Sequence, residues 1–270
     1  MGGGSRARSW AREVAQRIYG EVLNGSLPGL DINLSKALIE DRLSPGLKEE
    51  LAGYARERAL EYALQGLSEE EVRSRVAHDV DKRFREIVER DRKWVELSKP
   101  LIVPPRDLRY VGRILMPEEV GTWIERRGRY IYVTYWLRFP YDVSPGDGSE
   151  YEPLTVVMDS RTSRIVEYQV RVHWKIFRIP AEAVRHVGGR PIVIVTDSGH
   201  TPIPLVRGSE ILKLMARDFP RATWVALSKL YAIRGYRPLP DPAIHVGPSR
   251  VEVSRWRRNP LSKPWLEYRE

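Results

Sequence analysis

The chain of 270 residues contains no cysteine. That excludes a disulfide framework, a thiolate nucleophile and zinc held through sulfur. No run reaches the roughly eighteen apolar residues that a membrane-spanning helix needs, and the opening Met1, Gly2, Gly3, Gly4, Ser5 and Arg6 include no apolar leader. The expectation is a soluble, cytoplasmic protein without a transmembrane segment. Amides are scarce too: three Asn and three Gln stand beside 30% charged residues and 20 prolines. Few heat-labile side chains and many ion-pairing ones is the composition expected of a thermophilic source. No Gly-rich phosphate loop of the Walker or dinucleotide type occurs, and the Gly-x-Ser-x-Gly elbow is absent, so those nucleotide sites and that hydrolase architecture have no foothold.

What is present is enough for a folded core. With 42% hydrophobic residues the chain is not disordered, and at this length about three quarters of the unfolded surface can be buried, in one large domain or two modest ones. Charge is unevenly placed. Residues 1–100 hold 18 basic and 18 acidic side chains, whereas residues 101–270 hold 27 and 18, so the whole net charge of +9 belongs to the second part. The hydrophobic period changes at the same place, from about 3.6 to two.

In the first part Trp10, Val14, Ile18 and Val22 recur every four residues until Asn24 and Gly25, a C-terminal stop. Ser44 and Pro45 supply an N-cap and a first-turn proline ahead of Leu47, Leu51, Tyr54, Leu60 and Leu64, with Gly66 closing the helix. Ser68 with Glu71 forms a capping box before the stripe Val72, Val76, Val80, Phe84, Ile87, Val88 and Trp94. The other face of this third helix mixes both signs, Arg73, Arg75, Lys82 and Arg83 among Glu69, Glu70, Asp79 and Asp81, which reads as a solvated face stitched by i,i+4 ion pairs. Helices over 45–97 also offer an oligomerisation or protein-partner surface.

After Pro104 and Pro105 the residues become aromatic and β-branched. Strands are predicted over 129–139, 154–158, 165–172 and 191–196, with 174–179 as a possible fifth, and the short turn at 159–164 makes the second and third an antiparallel hairpin. Helical periodicity returns past Leu205, through Ile211, Leu212, Leu214 and Met215 and on toward Ile233. The end is rich in Pro, Arg and Trp and reads as extended chain. The fold class is α+β: a helical region over 8–98, then an antiparallel β-sandwich-like domain over 101–270 that includes C-terminal helices and an extended tail.

Three groups of residues carry candidate chemistry. Asp142, Asp147, Glu150 and Glu152 crowd a Gly/Pro loop that enters a strand; Glu150 and Glu152, two apart, share a strand face, and clustered carboxylate oxygens suit a hard cation such as calcium or magnesium. His173 and His200 follow strands, where irregular backbone often holds working groups; the remaining histidines, His78, His186 and His245, read as surface or packing residues. Arg255, Trp256, Arg257, Arg258 and Lys263 mix guanidinium and indole near the end, with Arg106, Arg109, Arg113, Arg126, Arg127 and Arg129 adding charge elsewhere. Guanidinium pairs with phosphate and indole stacks on bases, although arginine outnumbers lysine 36 to 9 throughout the chain.

The run Tyr135 to Asp142, then Glu150, Tyr151 and Glu152 ahead of Val156 to Asp159, then Val166 to Gln169, then Gly189 to Thr201 resembles, in order and spacing, the yeast vacuolar-protein-sorting protein sixty-two family. More distantly it is similar to the necrosis- and ethylene-inducing-like proteins, secreted β-sandwich cytolysins whose His-Asp-Trp-Glu motif helps bind a divalent metal. The likeness covers roughly residues 130–205. It implies a two-sheet β-sandwich with a metal-capable cleft, Glu150 and Glu152 falling on the motif's two acids and His200 on the histidine of a Gly-Ser-His-Ala-like turn. Ser149 stands where the motif has histidine, Tyr151 where it has tryptophan and Glu150 where it has aspartate.

The leading functional expectation is a divergent binding or structural member of that family that holds a divalent cation through Asp142, Asp147, Glu150, Glu152 and His200. The alternatives are a nucleic-acid-associated protein using the basic second part, and a metal-assisted hydrolase with His173 or His200 as proton carrier. Ser198 beside His200 is not a triad, since no oriented base or oxyanion hole can be located.

Overall fold

The computed structural model describes residues 3–40, 42–104, 115–140, 150–172, 175–195, 200–206 and 237–238. The chain is α+β and divides into two compact units between Asp91 and Arg92. Four helices come first: α1 (Gly3–Leu23), α2 (Ile32–Ile39), α3 (Pro45–Leu64) and α4 (Glu69–Ser98).

The local signals act where they stand in the sequence. At the end of α1 the Ser26 amide donates to the Glu21 carbonyl at 2.8 Å and the Gly25 amide to Val22 at 3.0 Å, a Schellman closure. Gly25 sits at φ 68°, and a Cβ there would meet the Ser35 carbonyl oxygen at 2.7 Å, so only glycine lets α1 turn into α2 this closely. Ser44 accepts from the Leu47 amide ahead of Pro45. The Ser68 amide donates to Glu71 at 2.9 Å while the Glu71 amide donates back to the Ser68 hydroxyl at 3.4 Å. α2 is an addition to the sequence reading. Asp31 caps it by accepting from the Asn33 and Leu34 amides, but with only Leu34 and Leu38 buried its stripe is too short to show a period.

Val14, Ile18 and Val22 of α1 pack with Leu51, Ala52, Ala55 and Ala59 of α3 and with Val72, Val76 and Val80 of α4. The mixed-charge face of α4 is stitched differently from the i,i+4 expectation. Arg73 does reach Glu69 within its own helix, but it also pairs with Glu21 of α1, while Arg83 pairs with Glu50, Arg58 with Asp79 and Arg17 with Glu69. Most of these partners lie on different helices, because long side chains of neighbouring helices meet over the core they share.

The second unit contains two sheets. One is wholly antiparallel, in the order β2 (Glu119–Arg127), β3 (Tyr130–Phe139), β4 (Glu150–Asp159), β5 (Arg164–Val172) and β6 (Lys175–Pro180). The other pairs β1 (Leu101–Val103) parallel to β8 (Arg190–Val195), with β7 (His186–Val187) and β9 (Pro202–Pro204) also on β8 and β10 (Arg237–Pro238) on β1. Ile131, Val133, Tyr135, Leu137 and Phe139 from β3 and Leu154, Val156 and Met158 from β4 share one core with Ile102, Val193, Val195 and Ile203 of the other sheet. That is a two-layer β-sandwich arrangement.

β3, β5, β6, β8 and the β4–β5 hairpin agree with the sequence reading. β4 starts four residues earlier than expected, at Glu150, because it pairs with the whole length of β3. β2 is an addition: Gly121 and its charged ends hide a strand that β3 selects by pairing along all nine positions from Glu119 to Arg127. The helix expected from Ile211 toward Ile233 and the extended C-terminal tail lie outside the described residues.

Residues from Arg92 to Ser98 of α4 belong to this unit, and its sheet caps them. Trp94 and Val95 enter the sandwich core. The Tyr135 hydroxyl donates to the Val95 carbonyl at 3.0 Å and lies 2.9 Å from the Ser98 hydroxyl, which donates to the Trp94 carbonyl. Arg190 donates from Nε to the Lys99 carbonyl at 2.9 Å and from Nη2 to that of Pro100 at 3.3 Å. Arg190 thus satisfies two carbonyls just past the helix end, and Tyr135 is a second donor to the Val95 carbonyl, which also accepts from the Lys99 amide at 2.8 Å.

Candidate functional site

The β3–β4 register locates the predicted acids. Glu152 is the partner of Leu137 and Glu150 of Phe139, so both acids stand on the first turn of pleats of β4. Glu152 is partly buried and has the strand parity of Leu154 and Val156, which face the sandwich core. Across the core, His200 follows β8 on irregular backbone at φ 40°, and its ring is 1% exposed. It stacks on Phe139 with centroids 4.5 Å apart and planes 20° from parallel. A non-glycine residue held at positive φ is backbone strain that the surrounding fold must support.

Phe139 touches one predicted acid through its backbone and the predicted histidine through its ring. Its backbone pairs with Glu150 at the start of β4 and its ring stacks on His200, at one end of the antiparallel sheet. Nothing in the sequence marked Phe139 for this task; it reads only as the last apolar residue of a strand. Carboxylate oxygens with one imidazole are a donor set that fits a divalent cation. Among the described residues no group of three or more His, Asp or Glu side chains stands close enough to hold a metal ion. Asp142, Asp147 and His173 lie outside the described residues, as do Arg255, Trp256, Arg257, Arg258 and Lys263.

A second histidine is fully employed in packing, as expected of His186. Its Nδ1 lies 3.0 Å from the Val184 carbonyl and its Nε2 lies 2.7 Å from the Tyr168 hydroxyl. A carbonyl can only accept, so Nδ1 carries a proton and donates to Val184, while Nε2 is hydrogen-bonded to the Tyr168 hydroxyl. Burial, with Tyr135 nearby, pushes the Tyr168 hydroxyl well above its ordinary pKa, which keeps it a donor.

The opposite face of the antiparallel sheet holds groups that sequence reasoning did not single out. Thr134 and Thr155 share a hydrogen bond of 2.8 Å, and buried Glu167 accepts from Gln169 at 2.6 Å and from Arg178 at 2.8 Å. Beside them Trp123 and Trp136 meet edge to face at 5.4 Å and pack with Tyr151. Alternation along β3 and β5 is the signal that places these residues away from the core.

No helix among the described residues is long and apolar enough to cross a membrane. No family model matches the sequence, and no curated protein matches it. Among solved structures, the chain is similar to NLPPya in complex with glucosamine, at 19% identity over 42% of this chain and 70% of that one with a TM-score of 0.30. It is similar also to NLPPya in complex with mannosamine, at 17% identity with the same coverages and TM-score. The non-toxic protein HaNLP3 matches at 13% identity, 42% and 73% coverage and a TM-score of 0.29. These neighbours are necrosis- and ethylene-inducing-like proteins at low identity and partial coverage.

Proposed function

We propose that the chain is a divergent binding or structural member of a vacuolar-sorting-like β-sandwich family, and that the sheet end around Phe139 takes a divalent cation, calcium or magnesium. Asp142, Asp147, Glu150 and Glu152 supply oxygen ligands and His200 an imidazole nitrogen. The observation that supports this reading is the single position of Phe139, paired with Glu150 through the backbone and stacked on buried His200 through its ring. Calcium needs six to eight oxygen ligands, so the loop acids and backbone or water oxygens complete the set. A histidine only 1% exposed and fixed by stacking suits a positioned ligand better than a proton carrier that must reach solvent.

Thermal melts of the full chain with calcium, magnesium and manganese, paired with titration calorimetry, test the proposal. Binding raises the melting temperature by mass action, and Glu152→Gln weakens the affinity by at least about tenfold, since even the partners that only orient a metal's ligands cost about 10–100-fold when changed. No shift up to millimolar metal, or an unchanged affinity in the double variant E150Q/E152Q, rejects it.

A further inference from the structure

The end of the same sheet remote from Phe139 is built of arginine. The β2–β3 connection is a two-residue turn, Gly128 and Arg129, with Gly128 at φ 58° as such tight hairpins require. Beside it the β4–β5 turn runs through Ser160 to Ser163, and Ser163 is held at φ 54°. The two turns are fastened together. The Ser160 amide donates to the Arg129 carbonyl at 2.8 Å, and Arg129 pairs with Asp159 at 3.0 Å. Asp159 also accepts from the Arg161 amide at 2.8 Å, and its carbonyl accepts from the Ser163 amide at 2.8 Å.

This rigid tip presents Arg126, Arg127, Arg129, Arg161 and Arg164, all exposed. Its acids are committed or withdrawn: Asp159 is buried under Arg129 and the turn amides, and Glu125 is partly buried one position back along β2. Arg127, Arg161 and Arg164 have no ion pair among the described residues. Arg127 and Arg164 stand at the two ends of one row of partners, Arg127 to Tyr130 to Asp159 to Arg164. Three strand spacings of about 4.8 Å separate them, roughly 14 Å, which is about four nucleotide steps of 3.4 Å along one strand of a duplex.

We propose that this tip is a second binding site, for the phosphodiester backbone of nucleic acid, read without sequence preference. Guanidinium groups match phosphate oxygens in planar, two-point fashion, and a polyanion with evenly spaced phosphates can engage several of them at once. An anionic membrane is the less suitable occupant, because insertion needs exposed apolar side chains beside the charge. Among the described residues the exposed large apolar ones, Ile32, Ile39, Leu64, Leu97 and Val187, are all outside these two turns. The site stands on different residues from the proposed cation site and does not depend on it.

Fluorescence anisotropy of the full chain with a labelled 20-base-pair duplex, from 50 to 200 mM salt, tests the inference. Wild type binds more weakly as salt rises. The triple variant R127A/R161A/R164A, which keeps the Arg129–Asp159 clasp, loses at least tenfold in affinity at 50 mM salt, and its log–log salt slope becomes shallower by about 2.7, or 0.9 for each lost phosphate contact. A charge-matched control on exposed helical arginines, R8A/R12A/R85A, stays within about threefold of wild type, and melting temperatures confirm that both variants fold. Absent duplex binding, an equal loss in the control, or an unchanged tip variant overturns the site. So does binding to phosphatidylserine vesicles without binding to the duplex.

Discussion

The two units fill their interiors with different materials. The helical unit packs Leu, Ile and Val around a set of buried alanines, Ala11, Ala15, Ala52, Ala55, Ala59, Ala63 and Ala77, and keeps its charges in ion pairs at the surface. Its buried polar residues among those described are Ser44, a cap, and Asp91, which pairs with Arg90. The sheet unit buries Tyr132, Tyr135, Trp136, Phe139 and Tyr168, and with them Thr134, Thr155, Glu167, Gln169 and His200. Helices satisfy their backbone internally and need polar side chains only at their ends, so alanine suffices where two helices approach. Buried polar groups cost desolvation and must be matched by hydrogen bonds. Their concentration in the sheet unit shows where the chain spends stability on something other than packing, and both proposed sites fall there, at opposite ends of one sheet.

The largest expected break in that contrast is Phe139→Ala. Removing a fully buried aromatic from the sandwich core destabilises the protein by about 3–5 kcal/mol in denaturant unfolding, and it also removes the ring on which His200 rests. If the proposed cation site is real, this variant loses metal binding at temperatures where it is still folded, while a helical-core change of similar size, Leu51→Ala, does not. Retained metal affinity in Phe139→Ala erases the distinction.

A smaller effect isolates one buried polar link. Tyr135→Phe deletes the hydroxyl that donates to the Val95 carbonyl and contacts Ser98, and because that carbonyl keeps the Lys99 amide at 2.8 Å, unfolding measurements should register a loss of about 0.5–1.5 kcal/mol, the net worth of one hydrogen bond. A neutral result shows that the hydroxyl adds nothing to the bond the Lys99 amide already makes.

The smallest test concerns Asp79, an acid of the helical unit held by Arg58 and Tyr62, and reads as a pH effect. Burial pushes the Asp79 carboxyl up, but hydrogen bonds from Tyr62 and Arg58 outweigh it and hold its pKa below the ordinary value. A depressed folded-state pKa contributes stability that is fully present above the unfolded value, near 3.9, and is lost as pH falls through the lower folded value. Wild type should therefore exceed Asp79→Asn at neutral pH, and the gap in melting temperature should close below about pH 4. A gap constant from pH 7 to pH 2 contradicts the linkage.

The sequence was most legible where structure is local. Asn24 with Gly25, Ser44 with Pro45, and Ser68 with Glu71 announce helix boundaries because each cap closes within a few residues of itself. The aromatic and β-branched runs likewise announce β3, β5 and β8. Less could be read where a partner strand decides. Gly121 and the charged ends of β2 carry weak strand preference, and only the ladder to β3 makes them one. The candidate site shows the same division. Residue type alone made Glu150, Glu152 and His200 worth naming, but the role of Phe139 depends on a register and a ring contact made by segments far apart in sequence.

By itself, then, the amino-acid order determined the α+β division, the uneven charge and the kinds of side chain available for chemistry, because these follow from composition, periodicity and short-range hydrogen bonding. Only the tertiary structure decided that α4's ion pairs run mainly between helices, that His200 rests on Phe139, and that two turns of the chain are tied into one arginine-bearing tip. Those are long-range contacts, selected by which faces can be buried together, and no local pattern encodes them.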